Sequence, residues 1–395
     1  MAEREIVVLS GVRTAIGDYG SALKDIPPSE LAAQVIREAV KRAGVDPKQV
    51  GAMALGNVIH TEAKDMYISR VAALKAGLPQ ESTALTVNRL CGSGLQAIVS
   101  AAQMITLGDA DIAVGGGAES MSRSGYLMPS LRWGQRMGDG GYVDMMVGAL
   151  TDPFETVHMG ITAENIATQW KITREAQDAF AVESHRRAVH AIAQGYFKDQ
   201  ILPVELKTRK GITLFDTDEH PRADASLEGM AKLRAAFKKD GSVTAGNASG
   251  INDGAAAVVL MEKAAAEKQG LKPMARMVSY GLAGVDPAIM GIGPVPACKL
   301  ALDRAGLKIG DIDVIEANEA FAVQAMAVAC DLNFDPAKTN PNGGAVGLGH
   351  PIGATGALLT VKAIYELHRS GGRYALVTMC IGGGQGIAAI FERQG

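Results

Sequence analysis

Apolar runs typical of strands alternate with amphipathic, helix-like segments along the first 120 residues. The runs predict strands over 6–9, 52–55 and 112–114, and the helical spacing predicts helices over 31–43 and 93–107. Alternation of this kind favours a parallel α/β sheet. The same order of elements returns from about residue 271.

The second stretch of this pattern repeats the first. Segment 39–57, AVKRAGVDPKQVGAMALGN, aligns without gaps on segment 301–319, ALDRAGLKIGDIDVIEANE. Further along, CGSGLQAIVSAAQMI followed by DIAVGGG corresponds to GHPIGATGALLTVKAIYEL followed by YALVTMCIGGG, with a small insertion. Cys91 and His350 therefore occupy matching positions, and each is expected in a Gly-containing turn at the start of a helix that packs on a sheet.

The segment between the repeats, roughly 120–246, is irregular. It begins with a stretch rich in Gly, Met and Arg, MSRSGYLMPSLRWGQRMGDGGYVD, and a helical hairpin is predicted around 173–195. The strand AAAVVLM, near 246–261, is expected to return to the first sheet. We therefore expect a large inserted loop domain between two similar halves.

Glycine is the compositional outlier, with 47 residues of 395, or about 12% against a usual share of roughly 7%. The excess lies in short clusters, which let a backbone or a ligand approach closely. Apolar residues make up 47% and charged residues 21%, as in ordinary globular proteins. A net charge of −3 and a pI near 6.2 provide no basic surface for nucleic acid or for an anionic membrane.

Targeting signals are not evident in the sequence. The longest apolar runs are far shorter than the ~20 residues that span a bilayer. MAEREIVVLS has no signal-peptide or transit pattern, and FERQG has no peroxisomal tripeptide. We expect a cytoplasmic protein with reduced cysteines and with neither a nucleic-acid nor a membrane partner.

Cys91, in LTVNRLCGSGLQA, directly precedes the predicted helix 93–107. Unpaired N–H groups and the positive dipole end at a helix start lower the pKa of a thiol. Gly92 and Gly94 would let a substrate carbonyl approach. The local sequence leaves a second interpretation open, a buried hydrophobic cysteine, since free Cys is among the most buried residue types.

His350, in GLGHPIGATG, differs from the other six histidines because the repeat pairs it with Cys91. Two pseudo-symmetric halves would bring both helix starts to one interface. A Cys–His pair there supplies a nucleophile and its activating base. The other histidines fit surface positions or satisfied core positions.

Cys380 and Asn318 are two further candidates. Cys380, in CIGGGQG, fits a general base, a resolving thiol or a metal ligand, and the lack of CxxC or HxxH spacing disfavours the metal. Asn318, in EANEAFA, suits a donor aimed at an oxyanion or at a water, and equally a helix N-cap for 320–329. Cys298 and Cys330 lie in apolar helical patterns and are expected in the core.

Four sequence blocks, LCGSGLQAI, NEAFA, GGAVGLGHPIGATGA and CIGGGQGIA, resemble in this order the signature blocks of the thiolases. This family comprises acetyl-CoA acetyltransferases and 3-ketoacyl-CoA thiolases. The resemblance covers essentially the whole chain, including HMGITAEN in the predicted loop domain. Within the family, the chain is most similar to bacterial biosynthetic β-ketothiolases, especially the broader-range members associated with polyhydroxyalkanoate supply.

The resemblance implies an α/β thiolase fold of five layers, αβαβα, built from two repeated βαβαβαββ halves with an inserted loop domain. The N-terminal half is expected over 1–120 plus 247–270, the loop domain over 121–246 and the C-terminal half over 271–395. The loop domain is expected to bind coenzyme A. Segment 121–144 matches the family's tetramerisation loop, so a homotetramer assembled as a dimer of dimers is expected.

The resemblance also implies catalytic roles. Cys91 would be the acylated nucleophile, His350 its base, and Cys380 the acid/base at the α-carbon of the second acyl-CoA. Asn318, through a bound water, and His350 would form one oxyanion hole, and the N–H groups of Cys91 and Gly382 the other. Coenzyme A enters as substrate or product, with no tightly bound cofactor and no metal.

The coenzyme A contacts are carried over by motif matching. Ser249, in TAGNASGINDGA, is expected near the pantetheine amide, and Arg222 near the nucleotide. For Leu150, Met159 and Phe237, plain core packing is the alternative. The complete set is Leu150, His158, Met159, Arg222, Ser226, Phe237, Ala245, Ser249, Ala320 and Phe321.

These motifs predict a β-ketothiolase that reversibly condenses acetyl-CoA with acetyl-CoA or another short acyl-CoA. The alternative is a degradative 3-ketoacyl-CoA thiolase, which differs mainly in chain length, and the HMG motif and Met290 favour short chains. A condensing ketoacyl synthase would use two histidines, so Cys380 argues against it. A non-catalytic homologue is disfavoured because the four catalytic positions are intact. Leu90 and Met290 are expected to set the pocket width.

Overall fold

A computed structural model describes residues 4–209 and 211–395. Residues 1–3 of the predicted N-terminal half and residue 210 of the predicted loop domain lie outside the described residues. The strands are β1 (Ile6–Arg13), β2 (Gly17–Asp18), β3 (Ala52–Gly56), β4 (Thr83–Val87), β5 (Ile112–Ser120), β6 (Tyr126–Leu127), β7 (Val143–Asp144), β8 (Val204–Thr208), β9 (Gly211–Phe215), β10 (Asn252–Glu262), β11 (Ala275–Gly284), β12 (Val314–Ala317), β13 (Tyr374–Ile381) and β14 (Gln385–Arg393). The helices are α1 (Pro28–Ala43), α2 (Ile68–Ala76), α3 (Ser93–Leu107), α4 (Met145–Ala149), α5 (Met159–Trp170), α6 (Arg174–Ala193), α7 (Leu227–Ala231), α8 (Lys263–Lys268), α9 (Pro294–Ala305), α10 (Ala322–Leu332), α11 (Ala345–Leu348) and α12 (Ile352–Ser370).

The main sheet is mixed and runs in the order β12-β13-β14-β11-β1-β10-β5-β3-β4, with β2 paired to β10. Pairing is parallel from β5 through β3 to β4 and between β12 and β13, and antiparallel in the rest of this path. The expectation of a parallel sheet is therefore wrong for its centre. There, the predicted returning strand, β10, lies antiparallel between β1 and β5. The two half-sheets join where β1 pairs with β11 through Val7–Arg276 and Val8–Ala275.

Helices α3 and α12 form the middle layer. They pack on each other, α3 packs on β3 and β5, and α12 contacts both β5 and β10 of one half-sheet and β12 and β13 of the other. Helix α1 covers the N-terminal half-sheet with α2 beside it, and α9 covers the C-terminal half-sheet. The αβαβα layering implied by the resemblance is therefore confirmed.

Glycines allow the two central helices to approach each other closely. A Cβ at Gly356 would lie 2.2 Å from the backbone nitrogen of Leu95, and one at Gly94 would lie 2.8 Å from that of Ala357. Residues 90–107, which include α3, are long and apolar enough to span a membrane by length and composition alone. In the structure, α3 is packed between the half-sheets, which accounts for its apolar composition.

The internal repeat is visible in the structure. Helices α1 and α9 both end at a left-handed glycine, Gly44 with a φ of 69° and Gly306 with a φ of 66°. A 3₁₀ turn follows in each half, Pro47–Gln49 or Ile309–Asp311, and then β3 or β12. In the N-terminal half, β1-α1-β3-α2-β4-α3-β5 and the returning β10 follow the βαβαβαββ order. At the place in the C-terminal half that matches β4, the structure has a bridge, in which Ile315 pairs in parallel with Thr339.

The predicted elements of the first 120 residues are confirmed, since each lies within β1, β3, β5, α1 or α3. The predicted hairpin around 173–195 is wrong, because α6 is one unbroken helix of 20 residues. Cys298 is buried as predicted, whereas Cys330 is exposed. The division into domains at residues 120, 246 and 270 stays a prediction.

Candidate active site

The turn between β4 and α3 presents Cys91. Leu90 has a φ of 43°, a left-handed conformation that is uncommon for residues other than glycine and that often marks functional sites. The Ser93 hydroxyl accepts a hydrogen bond from the N–H of Arg89 at 2.8 Å and donates to the carbonyl of Leu90 at 2.6 Å. Asn88 Oδ1 accepts from the N–H of Leu90 at 3.0 Å. These bonds fix the turn and place Cys91 two residues before α3.

The protonation state of Cys91 differs from the prediction. The residue is partly exposed to the adjoining cavity. Desolvation of its sulfur raises its pKa to about 11, although the N–H groups of Gly382 and of Cys91 itself lower it. The charge of Glu119 adds a smaller increase. The prediction of a lowered net pKa is therefore wrong, because desolvation outweighs the backbone N–H groups, and the resting side chain is a neutral thiol.

His350 also lines this cavity, and one of its ring nitrogens has a free lone pair. Its Nδ1 lies 2.6 Å from Thr355 Oγ1, and that hydroxyl donates its proton to the carbonyl of Pro351 at 2.9 Å. Because a hydroxyl has one proton, Nδ1 of His350 carries the ring proton and Nε2 has the free lone pair. Nε2 lies 3.5 Å from Asn318 Nδ2. Burial lowers the pKa of His350 to about 4, so the imidazole is neutral at pH 7.

Cys380 and Asn318 lie close to this pair. Cys380 is fully buried on β13, and burial raises the pKa of its thiol far above the ordinary value, with a further increase from Cys91. Asn318 follows β12, and the N-cap of α10 is Phe321, so the predicted alternative of an N-cap role for Asn318 is wrong. Asn318 Oδ1 is buried and makes no hydrogen bond within the described residues.

A cavity of about 460 Å³ adjoins Cys91. Its wall contains Cys91, His350 and Gly382 of the predicted catalytic residues. Cys380 and Asn318 are buried outside the lining. The wall also contains nine of the ten predicted coenzyme A residues, Leu150, His158, Met159, Arg222, Phe237, Ala245, Ser249, Ala320 and Phe321.

Ser226 does not line this cavity. It lines a neighbouring cavity of about 340 Å³, which shares Arg222 and Ala245 with the first. Its hydroxyl accepts from the N–H of Gly229 at 3.2 Å and caps α7. A structural role for Ser226 is therefore evident, and its contact with coenzyme A stays a prediction.

Aromatic packing shapes the wall of the larger cavity. The rings of His158 and Phe237 stack with centroids 4.6 Å apart, and Phe237 meets Phe321 edge to face at 6.1 Å. The N–H of Ser249 donates to the carbonyl of Ala320 at 3.0 Å, so the segment that precedes β10 is tied to the loop that follows β12. Met159 both packs in this cluster and lines the cavity, so core packing and ligand contact are compatible there.

Comparison with known families agrees with this geometry. Residues 6–264 match the model of the thiolase N-terminal domain, and residues 271–393 match that of the thiolase C-terminal domain. The chain belongs to the thiolase family. Thiolases are acyltransferases, so it is an enzyme of that class.

Relatives cover nearly the full length of this thiolase. It is 67% identical over 391 residues to the β-ketothiolase BktB of Cupriavidus necator, and the alignment covers 99% of each chain. It is 51% identical over 394 residues to an acetyl-CoA acetyltransferase of Syntrophomonas wolfei, and that alignment covers 98% of this chain and 99% of the relative. The crystal structure of the Bacillus anthracis acetyl-CoA acetyltransferase matches with a TM-score of 0.97 at 49% identity, covering 99% of each chain. The crystal structure of human mitochondrial 3-ketoacyl-CoA thiolase in complex with CoA matches with a TM-score of 0.96 at 44% identity, and the match covers 99% of this chain and 98% of the human chain.

Several residues that support the thiolase site were missed at the sequence level. Asn252 Oδ1 accepts from the backbone N–H of His350 at 2.8 Å, and its Nδ2 donates to Asp18 Oδ1 at 3.1 Å. Asp18 also lies 2.6 Å from Nδ1 of His220, and both line the cavity. Thr355 and Asn252 stand within or beside the quoted motifs GLGHPIGATG and TAGNASGINDGA, so proximity to those motifs was the available signal. Asp18 comes from β2, far away in sequence, and carries no such signal.

Over residues 4–209 and 211–395, no group of three or more His, Cys, Asp or Glu side chains is arranged to hold a metal ion.

Proposed function

We propose that this thiolase is a biosynthetic β-ketothiolase that reversibly condenses acetyl-CoA with acetyl-CoA or another short acyl-CoA to a 3-ketoacyl-CoA and coenzyme A. One observation carries the proposal. The thiol of Cys91, the imidazole of His350 and the N–H of Gly382 converge on the wall of one cavity, with the thiol of Cys380 adjacent.

Acylation uses Cys91 and His350. Nε2 of His350 takes the thiol proton as the sulfur attacks the thioester carbonyl, and the proton passes to the departing coenzyme A thiolate. The N–H groups of Cys91 and Gly382, which both interact with the sulfur in the free enzyme, are suited to hold the oxyanion formed there. The neutral imidazole required as a base is provided by burial.

Condensation uses Cys380. In the cleavage direction, the carbanion that leaves the 3-ketoacyl-CoA needs a proton, and a buried neutral thiol of raised pKa is suited to donate it. In synthesis, the thiol proton of Cys380 first passes to Nε2 of His350, and the sulfur then removes the α-proton of the second acetyl-CoA, by microscopic reversibility. Asn318 Nδ2 and the now protonated Nε2 of His350 lie 3.5 Å apart, which supports a shared oxyanion site for the enolate, with a bound water on Asn318. When the carbanion has attacked the acyl group, the released Cys91 thiolate takes the proton back from Nε2.

Two features support a short-chain biosynthetic role. The Cupriavidus relative, 67% identical, is named a β-ketothiolase, and the bacterial relatives near 50% identity are named acetyl-CoA acetyltransferases. Leu90, Met159 and Met290 lie along the cavity wall, where bulky side chains restrict acyl length. A degradative 3-ketoacyl-CoA thiolase is less favoured.

The test measures the loss of 3-ketoacyl-CoA with and without free coenzyme A, comparing C4 and C5 substrates with longer chains. The proposal predicts cleavage only with coenzyme A, fast for C4 and C5 and slower for longer chains. Cleavage that proceeds without coenzyme A would contradict it, and a preference for long chains would favour the degradative alternative.

The proposal includes a homotetramer, a cytoplasmic location, a role in polyhydroxyalkanoate supply and no tightly bound cofactor. Segment 126–142 supports the assembly, because it exposes large apolar side chains that a partner subunit would cover, namely Tyr126, Leu127, Leu131, Trp133, Met137 and Tyr142. Light scattering of the wild type and of a Trp133→Glu/Met137→Glu double variant tests it. A tetramer that becomes smaller in the variant is expected, and identical masses would contradict the assignment to this segment.

A further inference from the structure

A buried carboxylate outside the described catalytic set joins the two halves beside the site. Glu119, on β5, is fully buried. Its Oε1 accepts from Asn57 Nδ2 and from the N–H of Ile59, both at 3.1 Å. Its Oε2 accepts from the N–H of Val58 at 3.1 Å and from the N–H of Gly353 at 2.8 Å. Four donors therefore converge on one carboxylate.

These donors come from both halves of the molecule. Residues 57–59 follow β3 in the N-terminal half, whereas Gly353 lies in the first turn of α12, three residues after His350. The packing around Gly353 is tight. A Cβ on Gly353 would lie 2.5 Å from Glu119 Oε2, and a Cβ on Gly117 would lie 2.3 Å from the carbonyl oxygen of Gly353. The start of α12 has little freedom to move away from β5.

We infer that Glu119 is a positioning residue, which holds the start of α12 against the loop after β3 and thereby fixes His350 relative to Cys91. This inference rests on the proposed function, in which His350 removes the proton of Cys91. Glu119 acts through the backbone of α12 and touches no reacting atom. A displacement of about 1 Å between a base and its nucleophile costs on the order of 100-fold in rate. Loss of the hydrogen bonds of Glu119 should therefore lower turnover strongly.

Because Glu119 is titratable, its positioning effect on His350 should depend on pH. Burial raises its pKa to about 8, against the opposing effect of its N–H donors, and the nearby Asp253 on β10 raises it further. The charge of Glu119 in turn contributes to the raised pKa of Cys91, which is about 11. As pH rises through about 8, the charged carboxylate forms and its four hydrogen bonds strengthen. Glu119 therefore holds the start of α12 more firmly against the loop after β3 above this pH.

The variants Glu119→Gln and Glu119→Asp test the inference, with Glu366→Gln as the matched control. Glu366 is also a buried glutamate, lies on α12 itself 13 residues beyond Gly353, and bonds Asn342 and Arg369. The readouts are kcat and KM for thiolysis, and the single-turnover rate of Cys91 acetylation by acetyl-CoA from pH 6.5 to 9.5. Rates are divided by the number of acylatable sites, which removes losses caused by unfolded protein.

For Glu119→Gln we expect kcat per site to fall about tenfold or more, with KM for acyl-CoA within about threefold of the wild type. We also expect the rise in the acetylation rate near pH 8 to disappear. Glu119→Asp should keep that rise and part of the rate, and Glu366→Gln should match the wild type in both readouts.

Two results would overturn the inference. One is a wild-type rate and pH profile in folded Glu119→Gln or, should that variant not fold, in Glu119→Asp. The other is an equal loss per site in Glu366→Gln. Acetylation of the wild type in the same experiment tests the proposed function separately, so failure of the positioning role of Glu119 is distinguishable from failure of the assignment.

Discussion

His350 Nδ1 lies 2.6 Å from Thr355 Oγ1, one turn into the helix that His350 precedes. Because the Thr355 hydroxyl already donates to the carbonyl of Pro351, it accepts from the imidazole and selects the tautomer with a free Nε2. The imidazole of His350 is therefore oriented by the first turn of α12, and its tautomer follows from the hydrogen bonds of one hydroxyl.

Thr355→Val should lower kcat about tenfold or more, because the ring loses the acceptor that fixes its tautomer. KM for acyl-CoA should change little, since Thr355 is not among the residues that line the cavity. Thr360→Val is the matched control, because Thr360 is buried on the same helix and its hydroxyl also donates to the carbonyl four residues earlier, at 2.8 Å. Steady-state thiolysis distinguishes the two, and equal kcat values would refute the role of Thr355.

Alkylation of free Cys91 by iodoacetamide should be slow at pH 7 and rise about tenfold per pH unit towards pH 11. The thiolate is the reactive form, and burial raises the pKa of Cys91 to about 11. Rates measured from pH 6 to 11, with the modified peptide identified by mass spectrometry, provide the profile. A plateau reached below pH 8 would show instead that the resting enzyme holds a thiolate–imidazolium pair.

Cys91→Ala and Cys380→Ser should separate the two half-reactions. Cys91→Ala should abolish the acyl-enzyme, because no sulfur remains to accept the acyl group. Cys380→Ser should still be acetylated by acetyl-CoA but should condense or cleave at least ~100-fold more slowly, because it lacks the thiol that exchanges the α-proton. Rapid-quench measurements of both steps check this, and an equal loss of acylation and condensation in Cys380→Ser would contradict its assigned role.

Gly356→Ala should lower the free energy of unfolding by about 3 kcal/mol, the upper end of the roughly 1–3 kcal/mol that overpacking a tight contact typically costs. The new Cβ would lie 2.2 Å from the backbone nitrogen of Leu95, which cannot rotate away. Gly310→Ala is the control, because a Cβ there has open space and Gly310 does not have a positive φ. Urea unfolding of both variants measures the difference, and similar free energies would show that α3 and α12 can separate at little cost.

Much of the fold was predictable because local patterns and the internal repeat carry it. Both aligned segments contain the tripeptide Arg-Ala-Gly, whose glycine, Gly44 or Gly306, is left-handed and ends α1 or α9. The strands that follow, β3 and β12, are fully buried apolar runs apart from Glu316. The direction of the central strands could not be predicted from local sequence patterns. The antiparallel β10 returns after a long inserted segment, and its partners are set by tertiary packing rather than by its own sequence.

The candidate site was predictable where motifs mark it, as at Cys91 and His350. The pKa of Cys91 was not, because a helix start lowers it and desolvation raises it, and only the structure shows that desolvation has the larger effect. Asp18 and Glu119 were missed for a related reason. Their partners, Asn252 and Gly353, are more than 200 residues away in sequence.

The most direct test of the central claim is to incubate the enzyme with acetyl-CoA and locate the acetyl group by peptide mass spectrometry, before and after adding free coenzyme A. The account predicts a single acetyl group on Cys91 that coenzyme A removes. An acetyl group on Cys380, an adduct that coenzyme A does not remove, or no covalent adduct would contradict it.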